Sequence, residues 1–356
     1  MRRKSRFLAA VCLAILLLAG CAVGKDTQIP EEGFPQVNFN NTIPIRQPCF
    51  FFDQAFFYEQ DGFYNMGIYR CQNGTYTKLL EESDFQDAVG FKDYYVSGND
   101  LYFVTWQSDM DQLYRYDLRT DTYEFLYELE TSSDWCVADS SFIYKTDYPE
   151  SSLWVMDLET GENTRICEKI LEFGIIDREV RYIVSRDVYE LYGYHLTTGT
   201  TVKLGQFSLD DDSRWRDFNF TPDEVTMCFG EDKRVLSVYS IPHNTVTEYT
   251  MPRGIHEMVA GENAVFLLVY DSHKNNSIAV PSAENGVYRV NLEDGNWELV
   301  TGRADDQTKI YVYSDDCIYL VQSGFFIPDF YTRTAYRLDI GEGTQEQVGK
   351  YRIIWD

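Results

Sequence analysis

Residues 113–121 read Leu113-Tyr114-Arg115-Tyr116-Asp117-Leu118-Arg119-Thr120-Asp121. Tyr114, Tyr116 and Leu118 alternate with Leu113, Arg115 and Asp117, and a period of two belongs to a strand. Asp117, Thr120 and Asp121 supply turn chemistry, and Tyr123-Glu124-Phe125-Leu126-Tyr127 starts a second strand. The stretch encodes a β-hairpin.

The chain writes versions of this hairpin repeatedly. Leu153-Trp154-Val155-Met156-Asp157-Leu158 leads into Glu159-Thr160-Gly161, and Leu191-Tyr192-Gly193-Tyr194-His195-Leu196 into Thr197-Thr198-Gly199. Val287-Tyr288-Arg289-Val290-Asn291-Leu292 leads into Glu293-Asp294-Gly295, and Ala335-Tyr336-Arg337-Leu338-Asp339-Ile340 into Gly341-Glu342-Gly343. Leu236-Ser237-Val238-Tyr239-Ser240-Ile241 is a degenerate copy, and Ile68-Tyr69-Arg70-Cys71 with Asn73-Gly74 a shortened one. The second position is aromatic in every copy except at Ser237.

Those second positions, 69, 114, 154, 192, 237, 288 and 336, lie 45, 40, 38, 45, 51 and 48 residues apart. Intervals of about 40 to 50 residues are those of propeller blades. Each copy also has an apolar strand before it, such as Leu101-Tyr102-Phe103-Val104 or Ala264 to Val269. A shorter innermost strand precedes that, such as Phe173-Gly174-Ile175-Ile176. The inner strands are nearly continuous apolar runs, as expected of strands covered on both faces. The reading is an all-β, seven-bladed β-propeller with four antiparallel strands per blade, spanning 49–356. An eighth blade would need a further sheet from Val37 to Ile45 and the tail Tyr351 to Trp355. A shorter use of Val37 to Ile45 is as a strand that completes the last sheet, because an unclosed ring leaves bare edges.

Residues 1–20 read as a targeting segment. Arg2, Arg3, Lys4 and Arg6 precede an uncharged apolar run from Phe7 to Leu18, too short to span a bilayer of roughly 30 Å. Leu18-Ala19-Gly20-Cys21 matches the lipobox of bacterial lipoproteins. By that resemblance, Cys21 is diacylated and becomes the mature N-terminus, and two acyl chains give stable anchoring. Residues 21–48, with Pro30, Pro35, Pro44 and Pro48, read as a tether.

The net charge is −26, or −30 once the four basic residues of 1–20 are removed. That disfavours nucleic acid and anionic lipid headgroups as direct partners, and no nucleic-acid partner is expected. Of the cysteines, Cys49, Cys71, Cys136, Cys167, Cys228 and Cys317 remain in the mature domain. They form no C-x-x-C pair, so a zinc site is not expected. Cys228 and Cys317 lie in apolar strand runs and read as small buried hydrophobes. An exported compartment permits disulfides, and the pairing stays open.

Catalytic motifs are sparse. There is no G-x-S-x-G, no phosphate-binding glycine run and no C-x-x-C-H. His256-Glu257 begins a zincin motif, but Ala260 stands where the second histidine belongs. His195, His243, His256 and His273 fall on separate repeats. Asp210-Asp211-Asp212 with Asp217, or Asp109 with Asp111, have oxygen ligands for a cation. Such runs are usually solvated loops, and no metal or cofactor is expected.

Aromatics outside the repeat positions are more informative. With strands A to D running outward, B–C loops and D–A links share one face. The loop expected at Tyr270 to Gly286 carries Tyr270. That at Gln322 to Arg333 carries Phe325, Phe326, Phe330 and Tyr331. Trp106 and Tyr148 fall on two further loops, and Trp215 and Trp135 on or near links. Loops beyond about 12 residues are usually functional, and exposed rings recognise sugars and peptides. The ligand-binding candidates are Trp106, Tyr148, Trp215, Tyr270, Phe325, Phe326, Phe330 and Tyr331.

The pattern Tyr/Trp-x-φ-Asp-Leu-x-Thr-Gly resembles propeller repeats of the TolB, quinoprotein-like and YVTN types. With the lipobox, the chain resembles bacterial propeller lipoproteins. The resemblance implies an extracytoplasmic protein held to the cell membrane by its N-terminal lipid. The sequence points to a binding or scaffold module for a glycan, a peptide or an envelope protein. The alternative is a glycan- or peptide-cleaving enzyme that uses funnel carboxylates such as Asp210 to Asp212 or Asp329.

Overall fold

The computed structural model describes residues 49–353 except 52–53, 62–64, 86–89, 108–109, 130–131, 147–149, 186–187, 209–215, 230–233, 252–253, 270–284, 303–307 and 326–330. At some strand ends, including 323–325 and 331–332, only the backbone is described. The chain forms seven four-stranded antiparallel sheets, each from one continuous segment. Blade 1 is β1 (Cys49–Phe51), β2 (Gln54–Asp61), β3 (Asn65–Gln72) and β4 (Thr75–Glu81), and blade 2 is β5 (Gly90–Ser97), β6 (Asp100–Gln107), β7 (Met110–Asp117) and β8 (Thr122–Leu129). Blade 3 is β9 (Ser132–Ala138), β10 (Ser141–Thr146), β11 (Ser152–Asp157) and β12 (Asn163–Glu168), and blade 4 is β13 (Ile170–Ile176), β14 (Glu179–Ser185), β15 (Tyr189–His195) and β16 (Thr200–Phe207). Blade 5 is β17 (Arg216–Phe220), β18 (Glu224–Phe229), β19 (Val235–Ser240) and β20 (Thr245–Thr250), and blade 6 is β21 (Ile255–Ala260), β22 (Ala264–Val269), β23 (Gly286–Asn291) and β24 (Trp297–Thr301). Blade 7 is β25 (Lys309–Ser314), β26 (Cys317–Phe325), β27 (Tyr331–Asp339) and β28 (Thr344–Ile353). This is the seven-bladed β-propeller that the repeat spacing predicts. One 3-10 turn, Glu82–Asp84, is the helical element among the described residues.

The repeated stretch is strand C of each blade. Its first residue, Ile68, Leu113, Leu153, Leu191, Leu236, Val287 or Ala335, has no exposed surface in any blade. The aromatic that follows stands opposite a residue of strand B. Phe103 and Tyr114 stack 5.1 Å apart, Tyr144 and Trp154 6.3 Å, and Tyr182 and Tyr192 5.5 Å. Such cross-strand aromatic pairs are a main unit of sheet stabilisation.

A β-bulge accompanies the aromatic. In six blades the C–D register slips between the first and second repeat residues, skipping Leu79, Leu126, Ile166, Leu204, Val300 or Val348 on strand D. The skipped residue is aliphatic each time. Leu126, Ile166, Leu204, Val300 and Val348 pack against the apolar clusters between blades. Blade 5, where Ser237 replaces the aromatic, has no slip. A bulge bends its strand and strengthens the local twist, so the aromatic and the extra aliphatic residue form one device.

The C–D turns follow from their Asp and Gly residues. Asp117 accepts the N–H groups of Arg119 (2.7 Å) and Thr120 (3.2 Å), and Asp157 those of Glu159 (2.9 Å) and Thr160 (2.7 Å). These donors hold both carboxyls below their ordinary range. The closing residue is left-handed, at φ 73° for Gly161 and 65° for Gly343. Where it is instead Asp121 or Asn244, a tyrosine of strand C supports it: Tyr116 donates to Asp121 at 3.0 Å and Tyr239 to Asn244 at 2.8 Å.

All four strands of blade 7 come from 309–353, and Tyr351 to Ile353 end β28 rather than starting another sheet. Val37 to Ile45 lies outside the described residues. Cys71, Cys136, Cys228 and Cys317 are buried and in no disulfide, whereas Cys49 and Cys167 are half-buried residues.

Candidate functional site

Each blade begins with its innermost strand A, which enters from the end where D–A links arrive. Registering strand A on strand B brings one position together in six successive blades. It is the residue just before the one that opposes the stacking position of strand B. Blades 2 to 7 place Asp93, Asp134, Glu172, Asp217, Glu257 and Lys309 there. Innermost strands of neighbouring blades approach one another. Among the described residues the position therefore sets five carboxylates and one lysine around the axis.

The ring is wired to its neighbours. Asp93 accepts the N–H of Tyr94 at 2.8 Å. Asp134 lies 3.4 Å from the ammonium of Lys145, its partner in register. Glu257 accepts the N–H of Ile310 in the next blade at 3.1 Å and lies 3.6 Å from Lys309. Just off the ring, Lys92 is the extra residue of a bulge in β5 and reaches the buried carboxylate of Asp111 at 2.7 Å.

Burial pushes the Glu172 carboxyl up to about 7; the Lys145 ammonium opposes the rise, and Asp134 and Asp217 add to it. Burial likewise pushes Glu257 up to about 7, opposed by Lys309 and raised further by Asp217. Asp217 thus acts on both glutamates. Near neutral pH the Glu172 and Glu257 carboxyls can each give or take a proton.

One position further into strand A by the two-residue period lies a drier layer. It contains Cys49, Tyr95, Cys136 and Asn219. Burial pushes the Cys49 thiol up to about 12, with the nearby Asp93 adding to it. Asn219 donates to the carbonyl of Met258 at 3.1 Å and accepts the N–H of Ala260 at 3.3 Å. The charged ring stands at the end of strand A where the D–A links enter, with this layer beneath it.

The structure redistributes the residues singled out from sequence. Trp106 is not on a loop but at the end of β6, opposite Asp111, with 46 % of its surface exposed. It presents a ring beside the Lys92–Asp111 pair. Phe325 and Tyr331 are also strand residues: they pair directly as the last residue of β26 and the first of β27, so 322–325 and 331–333 of the expected loop belong to strands. Their side chains, and Tyr148, Trp215, Tyr270, Phe326 and Phe330 entirely, lie outside the described residues, as does Cys21. Trp135 is not beside a link but buried in β9, 5.2 Å from the ring of Phe142. Asp217 belongs to an inner strand rather than to an acidic loop with Asp210 to Asp212, which lie outside the described residues together with Asp329. His195 and His243 sit at C–D turns, bonded to Thr197 and Ser240.

Sequence reasoning missed the ring itself. A signal for it exists: Asp93, Asp134, Glu172 and Asp217 stand 21, 20, 20 and 20 residues before the second repeat position of their own blades. The longer B–C segments of blades 6 and 7 break that spacing for Glu257 and Lys309.

The fold is similar to that of several solved propellers. A prolyl endopeptidase matches at 13 % identity and a TM-score of 0.63, over 89 % of this chain and 50 % of that chain. The β-propeller domain of the Trilobed protease from Pyrococcus furiosus, described as having an open velcro topology, matches at 11 % identity and 0.57, over 88 % and 96 %. An oligogalacturonate lyase from Vibrio parahaemolyticus matches at 13 % identity and 0.52, over 89 % and 88 %. The chain therefore spans about half the length of the prolyl endopeptidase it matches. No protein-family model and no curated protein matches the sequence. At these identities the likeness is one of fold.

Proposed function

We propose that this chain is a membrane-anchored, extracytoplasmic propeller that binds a hydroxyl-rich glycan or a basic peptide segment at the axial ring. The observation that carries the reading is the recurrence of a charged side chain at one register position of six consecutive inner strands. Packing alone does not call for acids there, because burying a carboxylate costs free energy unless a partner offsets it. Trp106 adds an exposed indole at the same end, the type of surface on which sugar rings and peptide side chains stack. The net charge of −26 favours a neutral or cationic ligand over an anionic polymer. The lipobox ending at Cys21 supports the anchored, extracytoplasmic location.

A second reading has a specific observation behind it. Glu172 and Glu257 both titrate near neutrality with Asp217 acting on each, the condition under which a carboxyl serves as general acid beside a carboxylate base. That arrangement suits a glycan- or peptide-cleaving enzyme.

A glycan array and a panel of Lys/Arg-rich peptides, probed with wild type and with Asp217→Asn and Glu257→Gln, test both. Binding reduced about tenfold or more in the variants supports a recognition ring. A ligand that wild type cleaves and Glu257→Gln binds but leaves intact supports the enzyme. Folded variants that hold every wild-type ligand at unchanged affinity would sink both readings.

A further inference from the structure

The link from blade 3 to blade 4 is a single residue, Lys169, between β12 and β13. Its backbone is pinned. The N–H groups of Lys169 and Ile170 both donate to the Ser151 carbonyl, at 2.6 and 3.4 Å, and the Ser151 hydroxyl donates to the Ile170 carbonyl at 2.7 Å. Lys169 is left-handed, at φ 61°. The other non-glycine residues with positive φ among the described ones are Asn73, Asp121, Asp139, Asp177 and Asn244. Asn and Asp tolerate that region because a short polar side chain can bond locally, whereas a lysine meets the full Cβ penalty. A residue held in such a conformation points to a requirement for its side chain.

That side chain stands at an open cleft of about 740 Å³ between blades 3 and 4. Arg165 and Lys169 line the cleft together with Glu168, Ile166 and Val184 supply apolar surface, and Ser185 adds a hydroxyl. Arg165 pairs with Glu168 at 2.6 Å and Lys169 with Glu150 at 3.8 Å, and half or more of each of these four side chains is exposed. Exposed pairs of this kind contribute little and exchange partners easily.

We infer that this cleft binds a small organic anion, with a carboxylate or phosphate group between Arg165 and Lys169 and an apolar body along Ile166 and Val184. The cleft has the size of a small-molecule site, and a guanidinium fork matches either anionic group. The net charge of −26 works against a polyanion but not against one anionic group, because surface charges beyond about 8 Å are largely screened at physiological salt. The site involves the outer strand β12 rather than the axial ring, so it stands whether or not the ring binds the ligands proposed above.

Calorimetric titration of the purified protein with hexanoate and with hexyl phosphate tests it, with hexanol as the neutral control. Wild type should bind at least one of the anions about tenfold or more tightly than hexanol; which of the two binds distinguishes a carboxylate from a phosphate ligand. Arg165→Gln and Lys169→Asn should each weaken that binding about tenfold or more, the loss of one charge-assisted contact. Lys169→Asn also suits the left-handed link, so its midpoint in urea should equal or exceed that of wild type. Wild type that binds neither anion better than hexanol, or variants that bind as wild type does, would overturn the inference. A lowered urea midpoint in Lys169→Asn would overturn it as well, since the lysine would then serve the fold.

Discussion

Glu257 of blade 6 accepts the backbone N–H of Ile310 in blade 7 at 3.1 Å while its carboxyl is pushed up to about 7. A ring residue is thus also part of the joint between two blades, and its proton couples site and fold. The ordinary value of a glutamate is 4.5, so between about pH 4.5 and 7 the native state binds more protons at Glu257 than the unfolded chain does. Stability contributed by this group must therefore fall as pH rises through that window and level off above it. Glu172 acts in the same direction. Glu257→Gln should be more stable than wild type at pH 8, by up to about 3 kcal/mol on the linkage scale of about 1.4 kcal/mol per unit, and nearly equal to it at pH 4.5. Urea unfolding at the two pH values measures this; a wild type more stable at pH 8 than at pH 5 contradicts it.

Asn219 ties blade 5 to blade 6 from a site with 1 % exposure. Asn219→Ala removes both hydrogen bonds that the amide makes to blade 6. A buried hydrogen bond lost this way costs about 1–3 kcal/mol, so a loss of about 1–3 kcal/mol is expected on chemical denaturation. A loss below about 0.5 kcal/mol would mean that water replaces the amide there.

Gly161 and Gly343 close equivalent C–D turns with φ of 73° and 65°. A Cβ on Gly161 would lie 2.8 Å from the ring of Tyr127 in the preceding blade, whereas one on Gly343 meets nothing within 4 Å. Gly343→Ala should cost only the left-handed penalty of about 1–2 kcal/mol. Gly161→Ala should cost more, because the Tyr127 hydroxyl also bonds Leu158 and resists displacement. Thermal melts of the two variants give the order, and the reverse order would refute it.

Lipidation at Cys21 is tested by fractionation. Cys21→Ala should leave the membrane fraction for the medium, or accumulate as uncleaved precursor. A variant that fractionates and migrates as wild type excludes the anchor.

Much of the fold is legible in the sequence because strand C carries both signals at once. Its period of two identifies a strand, and its aromatic second position recurs at blade spacing. The inner strands are less readable. In β5, β9, β13 and β21 a bulge inserts Lys92, Ser133, Leu171 or His256 beside the ring position. Alternation is broken where the site lies, and acids such as Asp93 and Glu257 look like irregularities in apolar runs. Loop aromatics drew attention for a sound reason, yet Phe325 and Tyr331 extend their strands. Long strands of Tyr, Thr and Phe look like loops when Gly324 and Pro328 interrupt them.

The pairing of a strand-C aromatic with a bulged strand-D aliphatic makes the two strands one heritable unit. A blade copied whole carries both halves. Recombination that joins strand C of blade 2 to strand D of blade 5 carries only one, since Thr245–Thr250 has no skipped residue to match Leu126. Because side chains alternate faces, a one-residue mismatch turns every later residue of that strand to the wrong side. Six blades are interchangeable modules in this respect. Blade 5 is a donor whose outer hairpin can be transplanted only as a pair.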